Sequence, residues 1–480
     1  MQTLRQTGSG RTTAIAAGCC GQSLAMIRGL VPRLGRIVAV LTGLPGAWAA
    51  ILVLAPVVAA AATSAQAGAP GEDLAGPYSD RATGGIRFVC PASAVPPVRA
   101  AMDRYLRDLK IRAAQYQRTV SNDGSVLTYT LRSPQGVFST LALADAQGWP
   151  LREERVRLPA RRGGITTVST VSRQEIVLAL MQHGRITEFA GTACAVQALA
   201  DQVGIRQLVV AWSENLDWTF PDGRPAFWNE ALWHRGTPKP GVPLEQAFRD
   251  PFLHQDRYSF GCYTAAKMVI AQAMLDYFSR VHPDARRLAL VKARLLADGD
   301  PLVDVEPPAM WFFEDDFDPR ERDRPGKLLF LRQNVPPKNF VPGDWAYIRN
   351  LDPGSMQRAG YEGSNALYLG RGRFDDFYND IGHHYTYREK LSEVYQWRHG
   401  VFSRRRDRAK VEPFTAAMEI LYGRTPDQGG LVLPYRAVPY LFGYQDLPAF
   451  VPAPDSARAT DADHPANRAL VAPDATTPNP

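Results

Sequence analysis

Apolar positions along the chain switch between two periods. Val98, Met102, Tyr105, Leu106 and Leu109 recur at helical spacing and predict a helix over Val95–Ile111. The stretches Ser125–Thr130 and Val137–Leu143 alternate instead and predict strands, the first announced by the turn residues Asn122-Asp123-Gly124. Further helices are expected over Arg173–His183 and Cys194–Val203, and a short apolar strand over Leu208–Trp212. Aromatics then crowd the chain up to His234: Trp212, Trp218, Phe220, Phe227, Trp228 and Trp233. Cys262–Phe278 is apolar nearly all round, the pattern of a buried central helix. Pro342-Gly343-Asp344 turns into a strand over Trp345–Arg349, and Asp352-Pro353-Gly354 precedes a strand over Ala366–Gly370.

This order gives an α+β chain with two units. A smaller α+β domain is expected over 86–203 and a larger one, helix first and antiparallel sheet after, over 204–447. The Gly-rich segment 68–85 reads as a linker. The Pro-, Ala- and Asp-rich end, 448–480, reads as a disordered tail.

At the start, Arg28, Arg33 and Arg36 precede an apolar run from Ile37 to Ala62 and the small-residue pattern Ala65-Gln66-Ala67. Residues 1–67 are therefore expected to be an export signal cleaved after Ala67, or an uncleaved membrane anchor, with Met26 as an alternative start. Either form puts the bulk of the chain outside the cytoplasm, periplasmic, secreted or in the cell envelope. The segment also explains the charge. The formal +7 includes five arginines from residues 1–67; without them 50 basic residues face 48 acidic ones. A net +2 is no field for gripping nucleic acid.

Cys90, Cys194 and Cys262 remain after residue 67. In an exported protein thiols tend to pair, and an odd one is reactive or intermolecular. The expected arrangement is a Cys90–Cys194 staple with Cys262 unpaired, the other two pairings staying open. Cys262 sits in Phe260-Gly261-Cys262-Tyr263-Thr264, where a turn becomes the apolar helix. A thiol there meets unpaired backbone N–H groups and the positive end of the helix dipole, which favour the nucleophilic thiolate. A cysteine helix packed on strands that carry its polar partners is the papain-like layout for acyl transfer.

Four blocks carry a family resemblance. They are Arg235-Gly236-Thr237 with Pro240-Gly241-Val242-Pro243-Leu244-Glu245-Gln246-Ala247-Phe248; Tyr258-Ser259-Phe260-Gly261-Cys262-Tyr263-Thr264-Ala265-Ala266; Pro342-Gly343-Asp344-Trp345-Ala346-Tyr347-Ile348-Arg349-Asn350; and Gly363-Ser364-Asn365-Ala366-Leu367-Tyr368-Leu369-Gly370. In this order, over about residues 228–380, they resemble the bacterial protein-glutamine gamma-glutamyltransferase of the spore-coat type. Pro-Gly-Asp before an apolar strand also occurs in cell-wall peptidases of the NlpC/P60 type, a fold the family shares.

The resemblance implies that Cys262 forms a thioester with a glutamine side chain and passes it to a lysine amine or to water. The partners it implies are protein glutamine and lysine side chains. The alternatives are a cell-wall peptidase or amidase acting on peptide stems, and an inactive binding module of the same fold. No cofactor is expected. Three departures stand out. The family's glutamate before the cysteine is Gly261 here, and its Gly-Glu-Asn motif is Gly363-Ser364-Asn365. The stretch where the family keeps its histidine is Arg373-Phe374-Asp375-Asp376-Phe377-Tyr378-Asn379-Asp380 here.

A base must then come from elsewhere. Glu362, Asp376 and His384 are the candidates, Glu362 lying about 6.6 Å along the strand from Ser364 at roughly 3.3 Å per residue. Asp375 and His383 lie beside two of these, and His234 and His254 occupy loops before the nucleophile. The pair His383-His384 has no spaced third ligand, so no metal is expected. Trp228, Trp233 and Ser364 are the candidate substrate-binding residues. The run Arg404-Arg405-Arg406, with Arg408 and Lys410, reads as a solvated basic loop.

Overall fold

The computed structural model describes residues 84–132, 149, 151–183, 186–214, 216–221, 226–234, 236–297, 329–333, 340–350, 352–358, 360–375, 377–378, 385–400, 416–417, 420 and 432–439. All of them fall within one compact unit spanning Ala69–Pro480. The expected export segment 1–67, tail 448–480, strand Val137–Leu143, basic run 404–410, and Asp376, His383 and His384 lie outside the described residues, as does the 68–85 linker apart from its last two residues.

The first elements are β1 (Gly85–Val89), α1 (Val95–Asp108), β2 (Tyr116–Val120), β3 (Val126–Leu131), β4 (Glu154–Pro159), β5 (Ile165–Thr170), α2 (Arg173–Leu180), β6 (Ile186–Ala190) and α3 (Val196–Ser213). A four-stranded sheet has the order β2-β3-β1-β6, with β1 antiparallel to β3 and parallel to β6. Helix α1 lays Val95, Val98, Met102 and Leu106 into the core. Ser172 caps α2 by accepting from the Glu175 N–H at 3.2 Å. A Cys90–Cys194 disulfide ties the end of β1 to the entry of α3 across 104 residues.

Helix α3 corrects one expectation. Leu208–Trp212 is helical, not a strand. The stretch from Ala198 to Ser213 is buried almost continuously, and a short apolar run on a helix buried all round has no period that separates it from a strand. The same helix also runs straight through the expected boundary at 203/204. Its residues belong to one hydrophobic core with both the β1–β3 strands and the cysteine helix.

The second half contributes β7 (Trp233–His234), β8 (Thr237–Pro238), α4 (Leu244–Leu253), α5 (Cys262–Asp276), α6 (Ala285–Ala297), β9 (Leu329–Gln333), β10 (Trp345–Asn350), β11 (Gly363–Gly370), β12 (Arg373–Asp375), β13 (Tyr385–Thr386), α7 (Tyr387–Gln396) and β14 (Val432–Pro439). A six-stranded antiparallel sheet has the order β13-β12-β11-β10-β14-β9. Every residue of α5 is buried, as its all-round apolar pattern requires. It packs between α3, α4 and the β11 face of the sheet, while α7 covers the opposite face.

Two polar ties lock the sheet to the preceding helices. Arg206 of α3, fully buried, donates from Nη1 to Asp344 Oδ1 at 2.9 Å and to the Pro342 carbonyl at 3.1 Å. At the far end of β11, Gly370, Arg371 and Gly372 turn the chain with φ of 95°, 51° and 72°. Glu175 of α2 accepts from the Arg371 backbone N–H at 3.0 Å and from its Nε at 3.3 Å. Burial pushes the Glu175 carboxyl up and Arg371 opposes that shift.

Candidate active site

The loop that carries the candidate nucleophile Cys262 is built by three extended segments laid side by side. Tyr258 and Gly261 both have extended backbone, and Cys262 opens the helix directly after them. Ser259 bridges Thr219 on one side and Phe227 on the other. Behind this ribbon the aromatics interlock. Trp218 meets Phe260 at 4.7 Å between ring centroids, Trp228 meets Phe260 at 5.2 Å, and Trp228 meets Trp233 at 4.9 Å.

Trp228 and Trp233, expected to bind substrate, are 4% and 0% exposed. They pack as a wall behind the loop that carries Cys262, the core or groove-wall arrangement that such aromatic density also suggests. A dense aromatic run has the same composition in either role, and only burial separates the two.

Two more groups hold this loop. Tyr378 donates its hydroxyl to the Phe260 carbonyl at 3.0 Å. It follows Phe377, whose φ of 79° is held by an N–H donated to Asp375 Oδ1 at 3.0 Å. On the other flank, Asp250 of α4 accepts from the Tyr258 hydroxyl at 2.7 Å and Asn229 Nδ2 at 2.8 Å, and His254 Nδ1 lies 2.7 Å from it.

Burial raises the Asp250 carboxyl, but the bonds from Tyr258, Asn229 and His254 outweigh that and leave it below the ordinary range. A carboxyl depressed in the folded state adds stability above its unfolded value, and that contribution disappears as pH falls through the folded value. Acidification below about pH 4 should therefore melt wild type faster than Asp250→Asn. Thermal unfolding across pH 3–6 checks this, and parallel curves for the two proteins would refute it.

Cys262 is buried at 5% exposure and is an unpaired cysteine. Asn365 points at it from β11, its Nδ2 lying 3.2 Å and its backbone N–H 3.5 Å from the sulfur. The Asn365 carboxamide is itself fixed, because Oδ1 accepts from Trp345 Nε1 at 2.7 Å. Two N–H groups of one residue are thus directed at the sulfur.

Strand alternation decides what else reaches the sulfur. Asn365, Leu367 and Leu369 face α5, whereas Ala366 and Tyr368 join the cluster on the other side of the sheet. Ser364, paired with Ile348 and fully buried, turns to that other side, so it is not a substrate contact beside Cys262. Glu362, the expected base, serves the turn before β11. Its Oε1 accepts from the Gly360 N–H at 2.9 Å, and its carbonyl accepts from the Asn350 N–H at 2.8 Å. Asp375 pairs with Leu367 and so shares the Cys262 face of the sheet. Asp376 and His384 fall outside the described residues.

Asn365 is the residue beside the sulfur that the sequence reading did not single out. It was legible as the polar member of the alternation Asn365-Leu367-Leu369, the face that must meet an apolar helix.

Residues 166–386 match the family model of protein-glutamine gamma-glutamyltransferase. That is just under half of the 480-residue chain, and it reaches back through α3, β6 and α2 into β5. Cys262, Asn365 and Asp375 all lie within it. The fold is thus a transglutaminase-like α+β fold of mixed helices and sheets. Among solved structures, a transglutaminase from Geobacillus stearothermophilus without its C-terminal extension is similar, at 20% identity, covering 52% of this chain and 94% of that one with a TM-score of 0.31. No curated protein matches.

Proposed function

We propose that this chain is an exported cysteine acyltransferase that acts on glutamine side chains. The observation that carries the reading is the pair of Asn365 N–H groups directed at Cys262, at a helix start inside the transglutaminase-matched region. The thiolate adds to the carbonyl carbon of a glutamine side-chain amide. Backbone N–H groups at the helix start receive the oxyanion. The C–N bond breaks and the nitrogen leaves as ammonia after taking a proton. A lysine amine then attacks the thioester, the C–S bond breaks, and an isopeptide bond remains; water in place of the amine gives glutamate.

The proton carrier is proposed among Asp375, Asp376 and His384, the polar residues at and just after the strand that pairs with Leu367. The basic and apolar start of the chain and the Cys90–Cys194 disulfide both suit an oxidising compartment outside the cytoplasm.

Incubating the protein with a glutamine donor peptide and a fluorescent primary amine tests the reading, with peptidoglycan stem peptides in a parallel arm. Covalent amine incorporation and ammonia release support it. Cleavage of stem peptides with no amine incorporation would replace it with a cell-wall peptidase. Asn365→Ala removes one of the two donors to the sulfur and should lower kcat by roughly 10–100-fold, the cost of losing a hydrogen bond to a charged group at about 1.5–3 kcal/mol. Unchanged kcat in a variant of wild-type thermal stability would remove Asn365 from the mechanism.

A further inference from the structure

The extended stretch Tyr258–Gly261 sends alternate side chains to opposite sides. Tyr258 and Phe260 are buried among the tryptophans, while Ser259 and Gly261 are half-buried. Ser259 and Phe227 exchange backbone hydrogen bonds of 2.7 and 2.9 Å. Residues opposite each other on such a rung turn the same way. Their neighbours Trp218, Phe260 and Trp228 all point inward, so Thr219, Ser259 and Phe227 form an outward ledge.

Phe227 is 56% exposed and is the one aromatic among the large exposed hydrophobics of the described residues. At the other end of the ledge, a Cβ added to Gly261 would meet nothing within 4 Å, which leaves open space beside Cys262. Chain reach places Phe227 within about 16 Å of Cys262, counting roughly 3.6 Å per residue from Ser259 and about 5.5 Å across the rung. That distance is spanned by a few residues of extended peptide. A single exposed apolar side chain is ordinary on a protein surface. This one is fixed by two backbone bonds to the segment that carries the nucleophile.

We propose that Phe227 is the apolar anchor for the acyl donor, packing against an apolar side chain within a few residues of the reactive glutamine in an extended polypeptide. The proposal rests on the acyltransferase reading and names the substrate feature that this site selects.

Alkylation of Cys262 separates the two. Iodoacetamide reads the thiol alone. Two peptides bearing a chloromethyl ketone in place of the glutamine amide, one with leucines flanking the warhead and one with glycines, read docking; in each, sulfur displaces chloride. Wild type should react with the leucine peptide about tenfold faster than with the glycine peptide. Phe227→Ala and Phe227→Gln should bring the two rates together and leave the iodoacetamide rate unchanged. A leucine preference that survives both substitutions, or none in wild type, overturns the proposal while leaving the reactive thiol standing. A Cys262 that no reagent modifies in the folded protein overturns the acyltransferase reading, and the Phe227 proposal with it.

Discussion

Cys262→Ala should abolish amine incorporation into a glutamine donor, a loss on the order of 10⁴-fold or more, because covalent catalysis has no substitute for its nucleophile. The sulfur is buried against Asn365, and the replacement removes one atom from a helix start. The variant should therefore fold and melt near wild type. Cys262→Ser is the stricter control, since it keeps an acceptor for the Asn365 N–H groups but supplies a much poorer nucleophile. Mass spectrometry of wild type quenched during turnover should find a donor-peptide thioester on Cys262. Amine incorporation that persists in a folded Cys262→Ala protein would end the proposed function. Loss of activity with loss of the fold would be resolved by the serine variant, which should be folded and inactive.

Asp344→Ala should cost about 3–5 kcal/mol of stability, the range found when one partner of a buried ion pair is removed. Both Arg206 and Asp344 are fully buried. Removing the carboxylate takes away the acceptor that lies 2.9 Å from Arg206 Nη1. It also removes the acceptor for the Val341 N–H, which sits 2.9 Å from Asp344 Oδ2. The expected readout is a lower denaturation midpoint in urea with little change in slope. Replacing both partners, Arg206→Met with Asp344→Leu, should recover the part of the loss that comes from burying one charge of the pair alone, while the Val341 N–H stays without this acceptor. The pair also bears on chemistry. Asp344 immediately precedes Trp345, whose Nε1 fixes the carboxamide that faces the sulfur. A loss below about 1 kcal/mol, the range of exposed pairs, would mean that this pair does not hold the sheet to α3.

Much of the fold was legible in the sequence because its strongest periodic signals are local. The α1 stripe, the all-round apolar cysteine helix and the strands at Trp345 and Ala366 all appear where their periods place them. Leu208–Trp212 was misread because five apolar residues in a row carry no period. Only its packing against the cysteine helix and β5 makes that run part of α3. The helix over Val196–Ser213 also spans 203/204, and a helix that both halves share cannot be seen from either half alone.

The candidate site divides along a similar line. Cys262 was legible because helix-start chemistry is set by its immediate neighbours, Phe260-Gly261 before it and the apolar run after it. Its partner was not. Glu362 and Ser364 carry the more suggestive chemistry, yet period 2 faces Ser364 away and the turn before β11 claims Glu362. Asn365 reaches the sulfur because of where β11 lies against α5, across 103 residues of chain. Trp228 and Trp233 were correctly seen as a dense aromatic group, but their burial depends on Phe248, Tyr258 and Phe260 closing over them.

The sequence by itself determined a cysteine at the head of a buried helix, followed by an antiparallel sheet, because periodicity and turn chemistry act over a few residues. The tertiary structure alone decided which polar group faces that sulfur, which tryptophans are core and which aromatic stays in the open. Those outcomes depend on strand register and on the side of the sheet that meets α5, and both are set by packing between segments far apart in the chain.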